Sequence, residues 1–203
     1  MYINLLFDNA SETDHAYTLR AVYGNHVVLR ILDKLDFGPE AGTVISTFYR
    51  YSESLTIKAS TANELASIVF DTLVEVLKEE TISQIDFEIA VEMTRFEFLG
   101  YDKDPIDTAY SNYIRYYTNA NVLLQNLELI RPDEVAAYGR TIWENNFANM
   151  YFTGSIDEKL SMSIASKYTA LKESKGGNSA PTHFTRYQVA SLNGYLVRQR
   201  TVR

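Results

Sequence analysis

Cysteine is missing altogether from the 203 residues, which excludes disulfides and thiolate metal sites and leaves the redox compartment open. Long apolar runs are missing too: none approaches the ~18 residues that a membrane-spanning helix needs. Histidine is scarce, with only His15, His26 and His183 present. None stands in a His-x-x-x-His, His-Glu-x-x-His or His-x-x-Glu-His setting, the spacings that bring two imidazoles and a carboxylate to one helix face. Basic residues are outnumbered, and the formal net charge of −7 argues against a nucleic-acid partner, whose binding rests on neutralising phosphates. There is no Gly-x-Ser-x-Gly elbow. Lys175-Gly176-Gly177 follows a helical stretch, the wrong order for a phosphate loop. Internal repeats and low-complexity segments are absent as well. No catalytic, cofactor-binding or metal-ligating residue is therefore assigned.

What is present suffices for a sizeable core, since a folded chain of this length removes roughly 70% of its extended surface from water. Strand-like sequence begins at Tyr2 with no basic segment or apolar leader before it. The expectation is a segment of a longer protein, soluble and cytoplasmic.

The stretch Phe147–Leu171 organises the reading. Met150, Tyr151 and Phe152 are apolar and aromatic, Gly154 breaks the run, and Ser155 stands three residues before Glu158, the spacing of a capping box. Leu160, Ile164, Tyr168 and Leu171 then share one helical face. A strand inside the sheet, a tight turn and an amphipathic helix are predicted.

Earlier in the chain, Tyr2–Phe7 reads as a strand. Ser11 and Asp14 open a helix to about Leu35, with Tyr17, Ala21, Val28, Leu32 and Leu35 on its apolar face. Gly24 weakens that helix by ~1 kcal/mol relative to alanine. Val44–Tyr51 and the alternating Leu55, Ile57 and Ala59 form a hairpin. Thr61 and Glu64 predict a second capping box, before a helix facing inward through Leu65, Ile68, Val69, Leu73, Val76 and Leu77. Ser83 and Asp86 open a helix whose face is Phe87, Ala90, Val91, Thr94 and Phe98. Asp104-Pro105 and Pro132-Asp133-Glu134 start two more. Residues 175–181 have linker composition, and the arginine-containing tail after them reads as a single connecting strand. Hairpin-connected strands with helices gathered on one side give an α+β class, an antiparallel-rich mixed sheet with helices mainly on one face.

Three features invite a functional reading beside a plainer one. Asp102, Asp104 and Asp107 suggest a calcium loop, but Pro105 interrupts it and helix capping accounts for Asp104 and Asp107. Glu88 and Glu92 are one turn apart, an acid–base pair if buried and a solvated face if not. Tyr101, Tyr110, Tyr113, Tyr116, Tyr117 and Tyr138 either grip extended peptides or fill helix seams. The first use would make the chain a stand-alone peptide- or protein-binding module.

In full order the chain resembles one homologous unit of the pitrilysin/insulinase family of zinc metallopeptidases, most similar to the third domain of insulin-degrading-enzyme-like proteins. The likeness is carried by Asp86-Phe87-Glu88-Ile89 and the helical sequence onward through Tyr113, and by the turn Tyr151-Phe152-Thr153-Gly154-Ser155-Ile156. Pro181, Arg186-Tyr187, Asn193-Gly194-Tyr195 and Gln199-Arg200 add to it. Ser155 departs from the family's usual asparagine. The resemblance implies a non-catalytic domain, residues 1–175, followed by linker and the start of another domain, 176–203. It implies that zinc and the catalytic residues lie elsewhere in a parent zinc metalloendopeptidase. This unit would wall the chamber, close against the catalytic half, and partner the parent's other domains and peptide substrates, with no nucleic acid or membrane partner.

Overall fold

A computed structural model describes residues 1–8, 13–35, 42–48, 54–100, 120–145, 149–155, 157–173, 184–191 and 195–202. The elements in order are β1 (Tyr2–Asp8), α1 (Asp14–Lys34), β2 (Val44–Phe48), β3 (Ser54–Ser60), α2 (Ala66–Leu77), α3 (Gln84–Gly100), α4 (Ala120–Leu127), α5 (Pro132–Asn145), β4 (Asn149–Thr153), α6 (Glu158–Glu173), β5 (Phe184–Ser191) and β6 (Tyr195–Val202). The fold is α+β. One sheet has the order β2-β3-β1-β4, with every neighbouring pair antiparallel. Alternation sets its two faces: Ile3, Leu5 and Phe7 of β1 and Leu55, Ile57 and Ala59 of β3 are fully buried.

Helix α1 lies at the centre. It packs against α2, α3, α4 and α5 on some sides and against β2 and β3 on another. Its burial therefore runs round the whole circumference, taking in Thr18, Arg20, Asn25 and His26 as well as Tyr17, Ala21, Val22, Tyr23, Val27 and Ile31. The predicted single apolar stripe is corrected by this. Leu32 is exposed and Val28 is only partly buried, because the helix end protrudes while its polar middle is enclosed. One enclosed polar group is visibly paired: Asn25 Nδ2 donates to Thr94 Oγ1 at 3.0 Å, and that hydroxyl donates to the Ala90 carbonyl at 2.8 Å. Such pairing removes the penalty of burying both side chains.

Close approach on two sides of α1 depends on glycine. A Cβ added to Gly24 would stand 3.0 Å from Thr47 Oγ1 and 3.4 Å from Leu55 Cδ1, so the residue expected to weaken the helix is where helix meets sheet. On α5, a Cβ at Gly139 would come within 2.5 Å of Tyr23 Cε2. That ring is buried and packs edge-on to Tyr138 at 5.4 Å.

Several expectations hold locally. Ser83 Oγ accepts from the Asp86 N–H at 3.1 Å, and α3 turns Ala90, Thr94 and Phe98 inward. Glu134 accepts from the Arg131 N–H at 2.9 Å at the start of α5. Ile164 and Tyr168 of α6 are buried, with Leu160 and Leu171 beside them. Gly154 has a positive φ of 87°, the turn conformation glycine tolerates.

Others are corrected. β4 lies at the edge of the described sheet, paired only with β1, and Tyr151 is exposed. Asp157, not Ser155, caps α6, accepting from the Leu160 N–H at 3.0 Å. Thr13 caps α1, accepting from the Ala16 N–H at 3.2 Å; Ser11 lies outside the described residues. Thr61 caps nothing, because its hydroxyl is engaged with Thr43 Oγ1 at 2.9 Å, and a 3-10 turn over Asn63–Leu65 precedes α2 instead. On α2, Ile68 is exposed and Phe70 takes the inward place. The tail forms two antiparallel strands, β5 and β6, not one. The Asp104-Pro105 helix start, the Asp102/Asp104/Asp107 group and the 175–181 linker lie outside the described residues.

Replacing Gly139 by alanine is expected to cost about 1–3 kcal/mol, because overpacking against Tyr23 exceeds the ~1 kcal/mol of helix propensity gained. Chemical denaturation measures it. An unchanged or raised stability would show that α5 does not press on α1 in this way.

Candidate functional site

The same alternation that buries one face of the sheet leaves the other exposed or partly exposed among the described residues. It presents Tyr2, Asn4 and Leu6 from β1, Thr56 and Lys58 from β3, Val44 and Ser46 from β2, and Tyr151 from β4. Tyr2, Val44 and Tyr151 are exposed or nearly so, and the remainder are partly exposed. Lys58 Nζ sits 4.8 Å over the Tyr2 ring, a cation–π contact. Asn4 Nδ2 donates to the Tyr151 carbonyl at 3.2 Å and ties the edge strand to the centre. The Tyr2 ring also lies against Gly154, where an added Cβ would be 3.1 Å from Tyr2 Cδ2. Aromatic area, amide and hydroxyl groups thus share one open surface, with Lys58 its charge among the described side chains.

A second polar arrangement joins α1, α3 and the segment after α2. Glu79 accepts both Arg30 Nε and Arg30 Nη2 at 3.2 Å, a two-pronged pair. Lys34 Nζ reaches Glu75 at 2.6 Å and Glu79 at 3.2 Å. Arg30 also meets Asp33 at 2.8 Å and Asp86 at 3.8 Å. Arg140 of α5 donates to the Glu80 carbonyl at 2.8 Å. Arg30, Glu79, Glu80 and Asp86 line a shallow cleft of about 390 Å³ with Thr81 and Ser83. Its Arg30 is already held by Glu79 and Asp86, and the Ser83 hydroxyl is committed to capping α3. The chemistry is that of a clasp on helix ends.

Burial pushes the Glu79 carboxyl up, but the hydrogen bonds and charges of Arg30 and Lys34 outweigh it and leave its pKa below the ordinary value. His26 is 2% exposed, and its Nδ1 has no hydrogen-bond partner among the described residues. Burial lowers its pKa below 6.5, opposed by the carboxylates of Glu79 and Asp86 and aided by Arg30.

The described residues do not fit a zinc site. His15 and His26 both lie on α1, eleven residues and so roughly 16 Å apart along its axis. No group of three His, Asp or Glu among the described residues is placed to hold a metal; His183 lies outside them. Glu88 and Glu92 are exposed, held by Gln84 at 2.9 Å and Arg95 at 3.1 Å on their own helix. Tyr138 fills a helix seam against Tyr23, whereas Tyr101, Tyr110, Tyr113, Tyr116 and Tyr117 fall outside the described residues. No helix among the described residues is long and apolar enough to cross a membrane.

His26 generates a pH dependence. The unfolded chain takes up a proton near pH 6.5 that the buried imidazole refuses, so stability is full above that pH and falls as the pH drops below it. The limiting slope is about 1.4 kcal/mol per pH unit. Urea titrations at pH 7.5, 6.5 and 5.5 should show the decline, and His26→Leu should flatten it. A wild-type stability that is flat across this window would contradict the burial argument.

No family model matches the sequence, and no curated protein matches it. Solved structures do. The crystal structure of pitrilysin matches 93% of this chain with a TM-score of 0.68 at 17% identity, over 20% of the pitrilysin chain. A "putative zinc protease" from Bordetella pertussis Tohama I matches 75% with a TM-score of 0.55 at 10% identity, over 94% of that chain. A conserved protein from Enterococcus faecalis V583 matches 77% with a TM-score of 0.53 at 10% identity, over 40% of that chain. The chain spans about one fifth of pitrilysin, and its fold is that of a pitrilysin-type domain.

Proposed function

We propose that this chain is a non-catalytic domain of a peptide-degrading zinc metallopeptidase, corresponding to the third domain of insulin-degrading-enzyme-like proteins. It forms part of the chamber wall and closes against the catalytic half. The observation that carries this reading is the extent of the likeness: nearly the whole chain follows one fifth of pitrilysin. The open sheet face supports it from a different direction. Tyr2 and Tyr151 offer apolar area that suits many side chains, and Asn4, Ser46 and Thr56 offer hydrogen bonds to a peptide backbone. Such a surface holds extended peptides with little regard for sequence. In this reading residues 1–175 are the wall domain, 176–203 are linker and the start of the next, and zinc belongs to another domain of the parent.

The rival reading, a stand-alone binding module, leans on a tyrosine face whose described member, Tyr138, is buried against Tyr23. Incubation of the chain with quenched fluorescent peptides is expected to give no turnover sensitive to a zinc chelator. Chelator-sensitive cleavage with stoichiometric bound zinc would overturn the proposal. The coding sequence around these residues gives the positive arm: a His-x-x-Glu-His helix upstream is expected, and an independent reading frame without one would also overturn it.

A further inference from the structure

Helix α3 carries two apolar faces where its own fold needs one. Ala90, Thr94 and Phe98 turn toward α1 with Phe87 and Val91 beside them. On the opposite side Ile85, Ile89, Phe96 and Leu99 are 70%, 43%, 74% and 48% exposed. With Glu92 between them these positions advance in steps of four, three, four and three, the seam that a second helix fits into. An exposed apolar line of this kind marks an interaction surface.

The rim identifies the partner's chemistry. Glu88 and Glu92 stand exposed along the seam. Arg95, the one cation of α3, is already shared between Glu92 at 3.1 Å and Glu128 at 2.6 Å, the latter following α4. Carboxylates therefore outnumber cations on this face. A second copy of the chain would set two acidic rims against each other, whereas a basic helix complements them. We propose that the outer face of α3 docks an amphipathic helix whose apolar seam is flanked by lysine or arginine. The proposal rests on α3 and its rim alone, so it stands or falls separately from the protease reading.

The test uses the full chain and two labelled helical peptides of about three heptads, with leucine at every a and d position. One carries lysine at the remaining positions and the other glutamate. Fluorescence anisotropy is expected to show saturable binding of the lysine peptide, tighter than the glutamate peptide by at least about tenfold. Phe96→Ser should weaken it by a similar factor, and Ile85→Ser, at the other end of the seam, provides an independent variant should the first fail to fold. Glu88→Lys with Glu92→Lys should reverse the preference between peptides. Equal affinity for the two peptides, full binding by folded seam variants, or concentration-dependent dimerisation that Phe96→Ser abolishes would each overturn it.

Discussion

The enclosure of α1 is the constraint on which the rest depends. A helix wrapped by four others and by a sheet has no solvent side, so every residue around its middle must fit a neighbour. Gly24 admits Thr47 and Leu55 of the sheet, and Gly139 of α5 admits the Tyr23 ring. At both places the neighbour occupies the space a Cβ would fill. The cost of glycine in a helix is offset by packing that no larger residue permits. Because interiors are dense, a displacement at one of these crossings is passed to the layer beyond.

Enclosure also decides the electrostatics. Polar side chains that a surface helix would turn to water are here held by partners, as Asn25 is by Thr94, or have their charged form disfavoured by burial, as His26 has. Glu97, near Asn25, has its carboxyl pushed up by burial, with the Asn25 hydrogen bond acting in the other direction. The charges that remain ionised gather at the end of α1, where Arg30 and Lys34 meet Glu75, Glu79 and Asp86. This grouping binds helix ends together, and its members spend their charge on one another. The polar centre of the domain is thereby a structural device, and among the described residues exposed apolar side chains lie on the open sheet face and the outer side of α3.

Periodicity in the sequence captured those parts of the fold that have one wet side. β3 alternates because one face is buried, and α3 and α6 show inner stripes because they lie outside α1. α1 itself misled the reading, since a helix buried all round carries no single stripe, and Val28 and Leu32 of the expected stripe are not in the core. Capping signals gave mixed results for a physical reason. Ser83 was free to cap, but the Thr61 hydroxyl is taken by Thr43 and Asp157 displaces Ser155. Both outcomes depend on which neighbour is nearer in space. The edge position of β4 was illegible because its partner in the described sheet is β1, far away in sequence. Of the candidate surfaces, the open sheet face was visible only through Thr56 and Lys58, which alternate with the buried residues of β3. The clasp was not, since it is assembled from residues 30–34, 75–79 and 86.

The role proposed for this domain needs rigidity more than reactivity, and a central helix packed against four others and a sheet supplies it. Native-state amide hydrogen exchange tests that claim most directly. If α1 is the element on which all others rest, the amides of Ala21–Ile31 should exchange only through global unfolding, with protection equal to the full stability of the chain and above that of α3 and α6. Exchange of those amides by local opening, at a free energy below that of the outer helices, would contradict the account.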